Sequence, residues 1–95
     1  MNVEGQSRRI ELHGEYDLQR QAEVRALFGE LREEPEIELD LRDVPYVDSS
    51  FLNELVVLRN RLPDSKVTLR HASPQLRHIF EIVGFQSIFQ IPAEE

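Results

Sequence analysis

The sequence contains no cysteine, no long apolar run and few basic residues. Without cysteine there are no disulfides, thiolate metal sites or cysteine nucleophiles. No apolar stretch approaches the roughly 20 residues that a helix needs to cross a bilayer, so we expect no membrane insertion. The 11 Lys and Arg against 18 Asp and Glu give a net charge of -7. This balance repels phosphate backbones, so we expect a protein partner and no nucleic acid.

What remains is typical of one folded domain. The 95 residues are 40% hydrophobic and 31% charged, which lies outside the composition of disordered chains. That length supports a single core over residues 1–95 and is too short for a second domain or a large enclosed catalytic cavity. The polar start of the chain lacks the basic and apolar regions of a signal peptide, so we expect a cytoplasmic protein.

Alternation of apolar and polar residues predicts the strands. Ile10 and Leu12 alternate with Glu11 and His13 in the first of them, and the same period of two recurs further along the chain. The predicted strands lie at residues 9–15, 37–41, 67–69 and 87–91; residues 1–8 are a candidate edge strand, and residues 92–95 are expected to fray.

Capping signals and helical spacing predict three helices between these strands. Asp17 is placed to cap the first helix, which runs to about Glu33. The second follows Ser49 and Ser50 and stops at Pro63, and the third begins at Ser73 and ends near Gly84.

Strands and helices that alternate in this way require crossover connections. The sequence therefore predicts a small α/β domain with a mainly parallel or mixed sheet of four to five strands. Charged residues such as Glu38 and Asp40 occupy every second strand position, whereas a parallel sheet covered on both sides is apolar throughout. We therefore expect one face of the sheet to be partly open.

Residues 44–50 join a strand to the start of a helix, which is the usual binding place in an open α/β sheet. Ser49 and Ser50 lie at the helix N-terminus, where unpaired amides and the positive end of the dipole would stabilise a phosphate. Nearby aspartates would make the added charge repel an acidic or apolar partner surface. The simpler alternative is that one of the two serines only caps the helix.

The stretch IELDLRDVPYVDSS at residues 37–50 resembles the signature of the STAS domain, the sulphate transporter and anti-sigma factor antagonist family. The segment LHGEYD at residues 12–17 is similar to the family's early strand motif. The helix from Ser73 to the Val83–Gly84–Phe85 segment is similar to its last helix. The resemblance covers nearly the whole chain and implies a STAS-like fold.

In bacterial members of the family, the serine or threonine directly after the motif aspartate is phosphorylated by an anti-sigma factor kinase. The resemblance therefore implies phosphorylation of Ser49, with Ser50 less favoured. It also implies that Asp17 and Asp48 shape the site. The unphosphorylated form would bind an anti-sigma factor of the serine-kinase type and free the sigma factor, with no cofactor and no catalysis by this chain.

Four residues are expected to contact the partner: Ser50, Phe51, Asn53 and Glu54, with Phe51, Asn53 and Glu54 exposed on the second helix. Family members typically carry glycine where this chain has Phe51, followed by small and aliphatic residues. A bulky exposed side chain at this position could block a kinase or fill a pocket on one particular partner.

Other functions fit the residues less well. A STAS scaffold or transporter-associated interaction domain, with Ser49 as a cap only, keeps the fold and removes the phosphorylation. A receiver domain would use Asp17, Asp43 and Asp48, but it needs a lysine after its last strand and a fifth helix. A hydrolase with Ser49 as nucleophile has no histidine or lysine placed as its base. The three histidines lack metal-ligand spacing.

Overall fold

Three parallel strands form the sheet of the computed structural model, which describes residues 7–93. β1 is Ser7–His13, β2 is Glu36–Asp43 and β3 is Lys66–Arg70, and they pair in the order β1-β2-β3. The helices are α1 (Gln21–Gly29), α2 (Ser49–Arg61) and α3 (Pro74–Ile82). Each strand therefore runs in the same direction as its neighbour and is joined to it by a helical crossover, as the alternating order predicts.

The two faces of the sheet have opposite chemistry. Ile10 lies opposite Leu39, and Leu39 opposite Leu69, so buried aliphatic side chains line up across the strands on one face. On the other face Arg9 pairs with both Glu38 and Asp40. The apolar face forms the core with the helices, and the charged residues, which the alternation placed on the open face, form a partly exposed layer of ion pairs.

The first helix starts as predicted and ends earlier. The Asp17 side chain accepts a hydrogen bond from the Gln19 amide at 3.0 Å and opens a 3₁₀ turn, Leu18–Arg20, that leads into α1. α1 ends at Gly29 rather than near Glu33. Beyond it, Arg61 of α2 donates to the carbonyl oxygens of Phe28 at 2.6 Å and Leu31 at 3.0 Å. These bonds tie the segment at the end of α1 to α2.

The third helix has the limits that its signals predict. Ser73 accepts a hydrogen bond from the Leu76 amide at 3.2 Å, and Pro74 is the first helical residue. Gly84 has a φ of 82°, which favours glycine and reverses the chain after the helix.

The segment predicted as a last strand is different. Residues Phe85–Ser87 form a 3₁₀ turn, and Gln90 makes a single parallel bridge with Thr68. Phe85 and Phe89 are four residues apart, and their ring centroids lie 5.1 Å from each other. Packing of these two rings requires a helical turn rather than an extended strand, because residues four apart in a strand are separated by about 13 Å.

The described sheet therefore has three strands, not four to five. The prediction for residues 1–6 and for the last two residues of the tail lies outside the described residues. Ser7 and Arg8 belong to β1.

Candidate functional site

Two loops meet at the carboxyl edge of the sheet and are fastened together by backbone hydrogen bonds. The Tyr16 amide donates to the Tyr46 carbonyl at 2.9 Å, and the Asp48 amide donates to the Tyr16 carbonyl at 3.0 Å. Tyr16 and Val47 pair as a short parallel bridge. The loop that carries Asp17 therefore lies beside the loop that carries Asp48 and Ser49.

Asp48 is the capping residue of α2. Its Oδ1 accepts hydrogen bonds from the Ser50 amide at 2.9 Å, the Ser50 hydroxyl at 2.5 Å and the Phe51 amide at 3.3 Å. The Ser50 hydroxyl, together with the amides of Phe51, Ser50 and Leu18, lowers the pKa of Asp48 below its ordinary value despite partial desolvation. An ionised carboxylate thus satisfies the helix N-terminus, and the proposal that a serine provides the cap is wrong.

Ser49 and Ser50 differ in what their hydroxyls do. Ser49 is the first residue of α2 and is exposed, and within residues 7–93 its hydroxyl has no hydrogen-bond partner. Ser50 is half-buried, and its hydroxyl donates to Asp48. Of the two serines, Ser49 alone presents a free hydroxyl to solvent.

Phe51 is buried, in contrast to the exposure expected from the sequence. It is 1% exposed, and its ring lies 5.1 Å from that of Tyr16 and 6.2 Å from that of Phe28. Its side chain is therefore part of the core rather than of the domain surface. The spacing of Phe51 with Leu55 and Leu58 follows one helical stripe and could have shown this.

Glu54 is buried as well, because it lies on the same stripe. It is 3% exposed and accepts hydrogen bonds from Gln21 Nε2 and Arg25 Nη2 of α1, each at 2.9 Å. The hydrogen bond from Arg25, followed by that from Gln21, outweighs desolvation and lowers the pKa of Glu54. Glu54 joins α1 to α2, whereas Asn53 is exposed as expected.

Two histidines at the same edge of the sheet pair with carboxylates of β2. His13 Nδ1 lies 3.2 Å from Asp43 Oδ2, and His71 Nδ1 lies 3.1 Å from Asp40 Oδ1. In the part of the chain that the structure describes, no group of three or more His, Asp or Glu is arranged to hold a metal ion. None of the helices described is long and apolar enough to cross a membrane.

The sequence matches a family model described as Mlab, STAS domain, over residues 1–90. The chain belongs to the STAS domain family. A STAS-domain containing protein of Pseudomonas aeruginosa (strain UCBPP-PA14) is 29% identical over 93 residues, which cover 95% of this chain and 92% of the relative. The family assignment made on residues 12–17, 37–50 and 73–85 is confirmed.

Solved structures share the fold of this STAS domain. A sulfate transporter family protein from Wolinella succinogenes superposes with a TM-score of 0.78 at 15% identity, over 96% of this chain and 80% of that chain. The anti-sigma factor antagonist SpoIIAA in its unphosphorylated form gives 0.70 at 19% identity, over 100% and 86%. The phosphorylated form of SpoIIAA, a Bacillus cell fate determinant, gives 0.67 at 20% identity, over 99% and 89%. These identities show a common fold, in antagonists and in transporter proteins alike.

Proposed function

We propose that this STAS domain is an anti-sigma factor antagonist, which binds an anti-sigma factor of the serine-kinase type and is switched off by phosphorylation of Ser49. The observation that carries the proposal is that Asp48, and not Ser49, caps the start of α2. Asp48 caps the helix, so the exposed Ser49 hydroxyl has no structural task within the described residues. A kinase could modify it without removing a hydrogen bond from the fold.

The site can accept a phosphate on Ser49 without losing α2. Unpaired amides and the positive end of the helix dipole stabilise negative charge at the first turn. The cap itself would be retained, because Asp48 makes its hydrogen bonds through Ser50 and Phe51 rather than through Ser49. Phosphorylation should therefore change the surface of the domain much more than its fold.

That surface change is what would release the partner. A phosphoserine brings about -1.5 to -2 charges to a position beside Asp48 and close to the loop of Asp17. An apolar partner surface docked around Ser49 would then have to desolvate this charge. An acidic partner surface would be repelled by it. Release of the anti-sigma factor would let it bind its sigma factor again, so phosphorylation would repress the dependent genes. This chain would act in the cytoplasm and would supply no catalytic group.

The first test is intact mass and peptide mapping after incubation with ATP and each anti-sigma factor kinase of the source organism. We expect one phosphate, on Ser49. Ser49→Ala should abolish it and keep partner binding, whereas the matched change Ser50→Ala should leave it on Ser49. Ser49→Asp should weaken binding. A phosphate on Ser50, or none from any kinase that binds the domain, would contradict the proposal.

A second candidate is a scaffold role in a transporter complex, which the fold similarity to a sulfate transporter family protein favours. In that case Ser49 is never phosphorylated, and the domain binds one membrane transport complex constitutively. Ser49→Ala and Ser49→Asp would then both leave the complex intact. Co-purification of the two variants with their partners, compared with the wild type, separates the two candidates.

A further inference from the structure

One arginine contacts three residues of the loop beside the Ser49 site. Arg20 lies in the 3₁₀ turn that leads into α1, and its Nη1 donates to the carbonyl oxygens of His13 at 2.8 Å and Glu15 at 3.1 Å. Its guanidinium also lies over the Tyr16 ring, with Cζ 4.0 Å from the ring centroid. Because a planar guanidinium can donate in several directions and stack on an aromatic ring at the same time, this single side chain fixes the loop relative to the start of α1.

Two further features hold the guanidinium in place. Glu23 of α1 accepts hydrogen bonds from Arg20 Nε at 3.1 Å and from Nη2 at 2.7 Å. Such a paired contact between a carboxylate and a guanidinium fixes the orientation of the group as well as its position. On the side of the loop, Gly14 has a φ of 85°, and a Cβ at this residue would lie 3.0 Å from Arg20 Nη1. Glycine therefore allows the loop backbone to turn and to approach the guanidinium closely.

The loop that Arg20 fixes is the loop that holds the Ser49 segment. Tyr16 makes both of the backbone hydrogen bonds that join the two loops, one of them by accepting the Asp48 amide at 3.0 Å. The Tyr16 ring also lies 5.1 Å from the ring of Phe51, in the first turn of α2. Because Asp48 directly precedes Ser49, a shift of Tyr16 would move the backbone that positions the Ser49 hydroxyl. Arg20 thus acts on Ser49 through Tyr16.

We propose that Arg20 is a positioning residue of the Ser49 site: through Tyr16, it holds the Asp48 loop in the arrangement that the kinase phosphorylates. This inference rests on the proposed function. Catalysis of phosphoryl transfer depends almost entirely on positioning and electrostatic stabilisation of the reacting groups. A serine hydroxyl whose backbone is no longer held should therefore react more slowly, even though it remains exposed. The substrate of the kinase would be the folded pair of loops rather than the linear sequence around Ser49.

The first measurement is amide hydrogen exchange of Arg20→Ala, which needs no partner. The amides of Tyr16 and Asp48 donate the two hydrogen bonds between the loops. In Arg20→Ala they should exchange at least about tenfold faster than in the wild type, because the loop opens locally more often. The Leu69 amide of β3 is the internal reference, and its rate should stay close to that of the wild type. A general loss of stability would instead accelerate all three amides together.

The second measurement is the rate of Ser49 phosphorylation by the kinase that modifies the wild type. In Arg20→Ala, kcat/KM should fall about tenfold or more. Arg59→Ala is the matched control, because Arg59 is half-buried like Arg20 and donates to two backbone carbonyls, those of Pro63 and Ile88, near the other end of α2. This control should keep the wild-type kcat/KM and the wild-type exchange rates of both loop amides.

The outcomes separate this inference from the proposed function. Wild-type exchange at both loop amides, or a wild-type kcat/KM, in Arg20→Ala would overturn the inference and leave the antagonist function standing. An equal acceleration of the loop amides and the Leu69 amide would also overturn it, because it would assign Arg20 to the general stability of the fold. If no kinase phosphorylates the wild type, the proposed function fails and the inference falls with it.

Discussion

Truncation of Phe51 to alanine should destabilise the domain strongly. The side chain is 1% exposed and contacts the rings of Tyr16 and Phe28, so Phe51→Ala removes a core aromatic and two ring contacts. Such a change costs about 3–5 kcal/mol, a large share of the about 5–15 kcal/mol that stabilises a domain. At about 4–8 °C per kcal/mol for a chain of this length, Tm should fall by roughly 12 °C or more.

Denaturant and thermal unfolding followed by circular dichroism measure this loss. Asn53→Ala is the control, because Asn53 is exposed two residues further along α2, and its effect should be about 0.5 kcal/mol or less. Equal stability of the two variants would refute the burial of Phe51. Phe51→Leu keeps a large apolar side chain, and we expect its folded form to be phosphorylated at the wild-type rate. A rate changed manyfold would instead place Phe51 in contact with the kinase.

The remaining predictions concern polar contacts of α2. Asp48→Ala should cost about 0.5–2 kcal/mol and Asp48→Asn less, since asparagine also caps helices; chemical denaturation compares the two. Arg25→Ala should raise the pKa of Glu54, whose largest stabilising contact it removes, and an NMR titration of the Glu54 carboxyl would detect this. The fold lowers the pKa of Asp48 and Glu54 below their ordinary 3.8 and 4.5. Their contribution to stability is therefore complete above those values and is lost as the pH falls through the lower folded-state values, which Tm measured through the acidic range would show.

Local signals predicted most of the elements of this fold. Alternation located the three strands, and Asp17, Ser73 and Gly84 marked helix limits, because caps and turns depend on a few neighbouring residues. The residues of the motif at Asp48 and Ser49 also lie where the pattern predicted, at the junction of a strand and a helix. These features require only short-range hydrogen bonds and backbone preferences.

The errors arose where side-chain packing and contacts between elements decide. The apolar segment of residues 87–91 satisfied a strand pattern, but packing of Phe85 against Phe89 coils its start. Arg61, which is far away in sequence, donates to the carbonyls of Phe28 and Leu31 where α1 ends, a contact that no local pattern predicts. Glu54 is polar and was expected at the surface, but Arg25 of another helix supplies the charge that allows its burial.

The sequence by itself therefore determined the element order from β1 to α3, the family and the position of Ser49 at the start of α2. Only the tertiary structure decided which side chains at that position face solvent. The backbone hydrogen bonds of Tyr16 with Tyr46 and Asp48, and the packing of Phe51 in the core, set the rotation of α2 about its axis. Helical periodicity specifies a stripe, whereas the direction in which the stripe points depends on the contacts it finds in the folded chain.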